Sequence, residues 1–114
     1  MGSSPTPGEA VRGSSSGRPV MAAMDLLGRR WALRILWELR NGSARALELR
    51  DRCDGMSSSV LYQRLRELRE AGLVDQDADG RFDLTALGAD LRAALEPLAA
   101  WSRRWADAGA SVHS

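Results

Sequence analysis

The sequence has one cysteine, no lysine and no long apolar run. A single cysteine, Cys53, excludes an internal disulfide and a cysteine-rich zinc site. No stretch approaches the roughly 18 apolar residues that a membrane-spanning helix needs. The first residues also lack the charged-then-apolar pattern of a secretion signal. We therefore expect a cytoplasmic protein with no membrane partner, no metal and no cofactor.

The basic residues are all arginine, and their distribution is more informative than their number. Sixteen basic residues against fifteen acidic ones give a net charge of +1, so bulk charge does not indicate a nucleic-acid partner. Between Arg29 and Glu70, however, ten arginines stand against six acidic residues. Arginine pairs well with phosphate and guanine, although a GC-rich genome also favours it. The segment 29–70 is therefore the basic part of the chain.

One small domain is expected over residues 18–106, between disordered tails at 1–17 and 107–114. The first tail is rich in Ser, Gly and Pro and carries almost no bulky apolar residue. In the domain, apolar spacing and turn residues predict helices and strands in a definite order. The predicted elements are helices at 19–27, 31–40, 45–53 and 58–71, strands at 73–76 and 81–84 around Asp79-Gly80, and a helix from Thr85 to about Ala106, mildly kinked at Pro97.

This order predicts a mainly α fold with a small β-hairpin. The third and fourth helices are joined by a short turn containing Gly55, which is the helix-turn-helix arrangement. The hairpin follows the fourth helix at once, as a wing does, and long helices flank the unit. We expect a winged helix-turn-helix domain with terminal dimerisation helices.

The fourth helix has an apolar inner stripe and a polar outer face. Leu61, Leu65 and Leu68 form the stripe, so hydrogen-bonding side chains face outward and can meet base edges. Its first turn offers backbone amides to a phosphate, and Arg81 of the hairpin can reach the DNA backbone or the minor groove. A solvated helix face looks similar, but the following hairpin favours DNA. The predicted DNA-binding residues are Ser57, Ser58, Ser59, Tyr62, Gln63, Arg66 and Arg81.

The terminal helices carry more apolar residues than one small domain can cover. Packing within one chain is one interpretation, and a homodimer interface, where Trp is enriched, is the favoured one. A cavity beside Met21, Met24 and Trp31 could also hold a small apolar effector. The predicted dimer-interface residues are Val20, Met24, Leu95, Leu98, Trp101 and Trp105.

The sequence resembles the HxlR-type winged helix-turn-helix regulators from about Arg18 to Trp105. The resemblance implies a bacterial DNA-binding repressor or activator that dimerises through its terminal helices. The matching segments are Pro19-Val20, Gly28–Trp31, Ile35–Leu39, Glu48–Arg50, Gly55–Ser57, Val60–Leu68, Ala71–Val74, Leu84-Thr85 with Gly88, and Trp101 with Trp105.

Several residues depart from the family pattern, and these departures bear on sensing and on the contacts with DNA. Arg18 stands where many members carry a cysteine that some use to sense oxidants or electrophiles, so thiol sensing at that position is excluded. Family members often have a basic residue in place of Ser59 and a small hydroxyl residue in place of Tyr62. The wing is short and carries Asp77 and Asp79, which repel phosphate.

We therefore expect a sequence-specific, DNA-binding transcription regulator that acts as a homodimer on double-stranded DNA. The residues offer no nucleophile–base pair and no phosphate loop, so an enzyme is not expected. Cys53 shares the inner face of its helix with Ala46 and Leu49, which predicts a buried, unreactive thiol. The alternative is a winged-helix module for protein interaction with little DNA affinity, which the low net charge and acidic wing favour.

Overall fold

The computed structural model describes residues 18–113, with side chains described through Gly109. The expected tail at 1–17 lies outside these residues. Within 18–113 no helix combines the length and apolar character that crossing a membrane requires. The elements in chain order are α1 (Pro19–Leu27), α2 (Ala32–Glu38), α3 (Ala46–Arg52), α4 (Ser58–Glu70), β1 (Val74–Gln76), β2 (Phe82–Leu84), α5 (Ala86–Ala94) and α6 (Glu96–His113).

The core lies where α2, α3 and α4 meet the hairpin. The apolar stripe predicted for α4 is confirmed, because Leu61, Leu65 and Leu68 are each about 1% exposed. They pack in one cluster with residues of the other elements, which include Ile35, Leu36, Leu39, Leu49, Cys53 and Phe82. Burial of this stripe fixes which side of α4 faces the solvent.

The hairpin is antiparallel and pairs with a third segment. Asp75 lies opposite Asp83 in the register of β1 and β2. Ala44 exchanges two backbone hydrogen bonds with Phe82, of 2.9 and 2.8 Å, so the α2–α3 connection extends the sheet on the other side of β2. This pairing was not predicted, because a single bridging residue has no alternating pattern to detect.

The tip of the wing differs from the two-residue turn expected at Asp79-Gly80. The amide of Asp77 donates to the carbonyl of Arg81 at 2.9 Å and that of Gly80 to the carbonyl of Asp77 at 3.0 Å. The loop is therefore Ala78–Gly80, with Gly80 at a φ of 82°. Three-residue hairpin loops end in such a left-handed position, which favours glycine. The Asp77 carboxylate also accepts the amides of Asp79 and Arg81.

The last helix is broken and longer than expected. Instead of a mild kink, α5 ends at Ala94, Leu95 forms its C-cap, and α6 begins at Glu96. Pro97 explains the break, because it has no amide hydrogen to continue the helical ladder and its ring crowds the preceding turn. The predicted end near Ala106 was too early, since α6 runs to His113. Alanine favours helix here, and the lone Gly109 does not stop it.

Gly88 is a position where any larger residue should disturb the packing of α5 on the wing. A Cβ added to Gly88 would lie 2.0 Å from the carbonyl oxygen of Leu73, which also accepts the amide of Thr85 at 3.0 Å. We predict that Gly88→Ala lowers the free energy of unfolding by about 3 kcal/mol, the upper end for overpacking. Thermal unfolding at fixed protein concentration measures this loss.

Gly109→Ala is the matched control, because a Cβ at Gly109 meets no atom within 4 Å. It lies inside α6, where alanine is favoured over glycine by up to about 1 kcal/mol. We expect an unchanged or slightly higher melting temperature for Gly109→Ala. Equal melting temperatures for the wild type and Gly88→Ala would show that α5 can move away from Leu73 without loss.

Candidate nucleic-acid interface

The first turn of α4 is held by its own serines. The hydroxyl of Ser57 accepts the amide of Val60 at 3.2 Å, which confirms the predicted N-cap. Ser58 accepts a hydrogen bond of 2.7 Å from Nη1 of Arg50 on α3, and the hydroxyl of Ser59 lies 3.3 Å from that of Ser57. The amides of this turn point away from the helix without intrahelical partners. The turn thus offers amides and the nearby Arg50 guanidinium to an anion.

The outward face of α4 presents the predicted side chains together. Ser59, Tyr62, Gln63 and Arg66 are all exposed, and their spacing of three, four and seven residues places them on one side of the helix. Within residues 18–109, Arg66 makes no hydrogen bond or ion pair that would hold it back from a ligand. A helix with such a face fits the width of the major groove.

An open groove of about 650 Å³ separates α4 from the wing. On the α4 side its lining includes Tyr62, Arg66, Arg69 and Glu70, and on the β1 side it includes Asp75 and Gln76. Arg69 lies 3.9 Å from the carboxylate of Asp75 and 3.4 Å from the amide oxygen of Gln76. The α4 side of the groove therefore carries two arginines and one glutamate, while the wing side carries an acid and no arginine.

Arg81 is bonded within the chain rather than extended from the wing. Its Nε donates to the Ser43 hydroxyl at 3.0 Å and its Nη2 to the Ser43 carbonyl at 3.1 Å. The guanidinium also lies 3.6 Å from Oε1 of Glu48. An amide hydrogen bond from Arg45, aided by the nearby Arg81 charge, lowers the pKa of Glu48, so this partner stays ionised. Arg81 thereby fastens the wing to the start of α3.

The other charges of the wing are acidic and exposed. Asp75, Asp77, Asp79 and Asp83 all face solvent. No group of three or more potential metal ligands forms among the described residues. Four carboxylates around one internally paired arginine give this wing a field that repels phosphate.

Sequence reasoning missed three arginines that the fold brings to this surface. Arg50 lies beside the first turn of α4, and Arg69 lines the groove. Arg45 begins α3 and donates from Nη1 to the carbonyl of Asp79 at the wing tip, at 2.7 Å. Helical spacing within α4 could have indicated Arg69, which continues the face of Tyr62 and Arg66. The positions of the other two depend on tertiary contacts.

The predicted dimer residues leave apolar surface uncovered on α1 and α6. Met24 is 61% exposed and Trp105 is 67% exposed, and Val20, Leu98 and Trp101 are each about half exposed. The rings of Trp101 and Trp105 stack with centroids 5.6 Å apart. Leu95, beside the break before α6, is partly buried. A single chain therefore does not bury these side chains.

Cys53 is fully buried in the core, as the helical register predicted. Burial raises the pKa of its thiol, so little of the reactive thiolate forms near neutral pH. This environment differs from the electropositive, accessible surroundings of sensor cysteines.

The chain is similar to known regulators over most of its length. The HxlR-like helix-turn-helix family matches residues 26–110. The uncharacterised HTH-type transcriptional regulator YvaP of Bacillus subtilis (strain 168) is 33% identical over 91 residues, covering 75% of this chain and 84% of that protein. The crystal structure of quinone-bound YodB from B. subtilis has a TM-score of 0.70 at 31% identity, covering 76% of this chain and 98% of that one.

A third similarity is structural and extends over a larger share of the chain. A crystal structure of a regulator assigned to the MarR family, from Enterococcus faecalis V583, has a TM-score of 0.72 at 28% identity. It covers 90% of this chain and 99% of that one. These similarities confirm the winged helix-turn-helix fold and the family resemblance predicted from the sequence. The chain belongs to the HxlR-like helix-turn-helix family of transcriptional regulators.

Proposed function

We propose that this protein is a sequence-specific DNA-binding regulator that works as a homodimer on double-stranded DNA in the cytoplasm. The observation that carries the proposal is the outward face of α4, where Tyr62, Gln63 and Arg66 are exposed on one side of a capped helix. Gln can pair bidentately with adenine and Arg with guanine. The turn at Ser57–Ser59, with Arg50 beside it, suits a phosphate.

The dimer is proposed from the apolar surface that one chain leaves exposed on α1 and α6. Val20, Met24, Leu98, Trp101 and Trp105 supply apolar and aromatic side chains of the kind that dominate interface energies. A two-fold axis would place the same residues of a second chain against them. Two α4 helices in successive major grooves would then lie roughly 34–36 Å apart.

The wing has a smaller part in this proposal than the sequence suggested. Arg81 is held by Ser43 and Glu48, so we assign it the positioning of the wing. Arg45 and Arg50 each make one side-chain hydrogen bond, and exposed Arg69 makes only long contacts, so a phosphate can replace these partners more easily than the three contacts of Arg81. We therefore assign the basic contacts to the DNA backbone to these three arginines and to the first turn of α4. The DNA-facing role that the sequence suggested for Arg81 thus becomes an indirect one.

A small apolar effector between the terminal helices stays a prediction. The quinone-bound structure of YodB gives such an effector a precedent in one relative. Arg18 takes the place of the cysteine that some family members use, and Cys53 is buried. Any effector of this chain would therefore bind without a thiol adduct at either position.

A salt titration tests the function. Long duplex DNA with a fluorescent label is titrated with protein from low to high salt, and binding is read by anisotropy. With at least four phosphate contacts we expect log affinity to fall against log salt with a slope of about −4 or steeper. Selection from a random duplex pool should also enrich one sequence.

The second candidate is the protein-interaction module, which the acidic wing and the internal pairing of Arg81 favour. It predicts no binding to long duplexes at low salt and no enriched sequence. A flat salt dependence with an unenriched pool would therefore replace the first candidate by the second.

A further inference from the structure

A buried carboxylate on the inner edge of α4 joins that helix to the turn after α1. Glu67 is only 8% exposed although it is charged. Its Oε1 lies 3.1 Å from Nη1 of Arg64, and its Oε2 lies 3.1 Å from Nη1 of Arg29. The amide nitrogen of Gln63 lies 3.5 Å from the same Oε2. A buried acid is stable only with such partners, and losing one of them is costly.

Arg64 adds a second bond to the same turn. Its Nε donates to the carbonyl oxygen of Arg30 at 2.8 Å. That carbonyl belongs to the peptide unit that leads into Trp31. Arg64 and Glu67 therefore hold two successive residues of the turn, one through a side chain and one through the backbone.

The backbone of this turn is also strained at the next residue, Trp31. Trp31 has a φ of 77° and is the one non-glycine residue with positive φ among those described. A bulky residue in the left-handed region costs of order 1–3 kcal/mol and persists only when its surroundings hold it. The Trp31 side chain packs against the core, and the bond from Arg64 orients the peptide before it. Contacts from α4 therefore help to fix the backbone conformation of the turn between α1 and α2.

We infer that Arg64 and Glu67 are positioning residues that fix the angle between α4 and α1. This inference rests on the proposed function, in which α1 contributes to the dimer and α4 enters the major groove. In such a dimer the angle determines the separation and the rotation of the two α4 helices. Arg64 and Glu67 therefore determine which half-site spacing the dimer accepts, while the outward face of α4 determines which bases it reads.

The first test measures the separation directly and needs no DNA. Nitroxide labels at Ser59→Cys, in a Cys53→Ala background, report the distance between the two α4 helices by pulsed electron paramagnetic resonance. The parent should give one narrow distance. Glu67→Gln, which keeps the shape but removes the charge, should shift or broaden it by about 3 Å or more, the rise of one base-pair step. Asp90→Asn removes the same charge from the exposed side of α5, away from the groove, and should leave the distance unchanged.

The second test measures spacing preference with unlabelled protein. Duplexes carry the half-sites selected by the wild type, with the centre-to-centre spacing changed by one base pair at a time. One step moves a half-site by about 3.4 Å and a tenth of a turn, so the wild type and Asp90→Asn should lose about tenfold in affinity. Glu67→Gln should lose less than about threefold or prefer another spacing. It should keep the preference at the base read by Arg66, which does not bond to Glu67, whereas Gln63 does.

The outcomes separate the inference from the function on which it rests. An unchanged distance and an unchanged spacing preference in Glu67→Gln overturn the inference and leave the function intact. A parent without a dipolar signal is not a dimer, and that result removes the proposed assembly together with the inference. If Glu67→Gln loses its helix content, Arg64→Lys replaces it. This variant keeps the charge, but a single ammonium replaces the two guanidinium nitrogens that bond Arg30 and Glu67 at the same time. Unfolding of both variants would show a structural network only and would count against the inference.

Discussion

Replacing Trp101 and Trp105 together with alanine is expected to raise the dimer dissociation constant at least about a hundredfold. Each Trp is about half exposed or more in one chain, and the proposed dimer would bury it against a second copy. In a two-fold dimer the double variant removes four rings from one interface. Truncating a central Trp often costs 2 kcal/mol or more. Sedimentation equilibrium over a concentration series measures the dissociation constant.

Trp37→Ala is the matched control for this prediction. Trp37 is also exposed, at 38%, but lies on α2, where the guanidinium of Arg40 stacks 4.0 Å from its ring centroid. We expect Trp37→Ala to keep the mass of a dimer. A double variant that remains dimeric at low micromolar concentration would move the interface away from α6. A loss of stability without a change of mass would instead show that the rings pack within one chain.

Local sequence signals were sufficient for the elements that form the site. Ser57 as the N-cap of α4, the leucine stripe and the hairpin after Gly72 all follow from residue type and spacing. Once Leu61, Leu65 and Leu68 face the core, helical geometry alone places Tyr62 and Arg66 on the exposed side of α4. For this reason the exposed face of α4 could be predicted from the sequence.

The features that the sequence did not predict depend on contacts between residues that are far apart in the sequence. Ala44 joins Phe82 across 38 positions, and Arg81 reaches Ser43 across the same separation. In a sequence, a charged wing residue such as Arg81 suggests a contact with a ligand. Only the fold shows that the partners of Arg81 lie within the chain. The left-handed Trp31 is another such case, because nothing in its neighbours requires a positive φ. The positive φ is held by tertiary contacts, which include the bond from Arg64 to Arg30 and the packing of Trp31 on the core.

These contacts give α4 and the wing different roles in the proposed complex with DNA. The wing brings four exposed carboxylates and an arginine that is already paired. In the proposed complex the wing therefore attracts DNA weakly, and we expect the affinity to come from α4, Arg45 and Arg50. Specificity then depends on a few side chains of α4, so single substitutions there should have large and separable effects.

Arg66→Ala is expected to lower the ratio of the affinities for specific and random duplexes by about 10- to 100-fold. We expect a similar factor for Gln63→Ala. A base-edge contact contributes roughly 1–3 kcal/mol of discrimination. Arg66 has no partner within residues 18–109, so nothing in the chain competes with a guanine for it. Arg103→Ala is the control, because it removes the same charge from the side of α6 opposite the tryptophans. It should lower both affinities slightly and leave their ratio unchanged.

Arg81→Ala should behave differently from both α4 variants. Its bonds to Ser43 and Glu48 hold the wing, so its loss should weaken specific and random binding in parallel and modestly. A direct phosphate contact would also lower the salt slope by about one unit, whereas an internal positioning role leaves the slope unchanged. Paired titrations of selected and scrambled duplexes at two salt concentrations give the ratio and the slope together. If Arg81→Ala abolishes discrimination while Gln63→Ala and Arg66→Ala keep it, α4 is not the element that reads the bases.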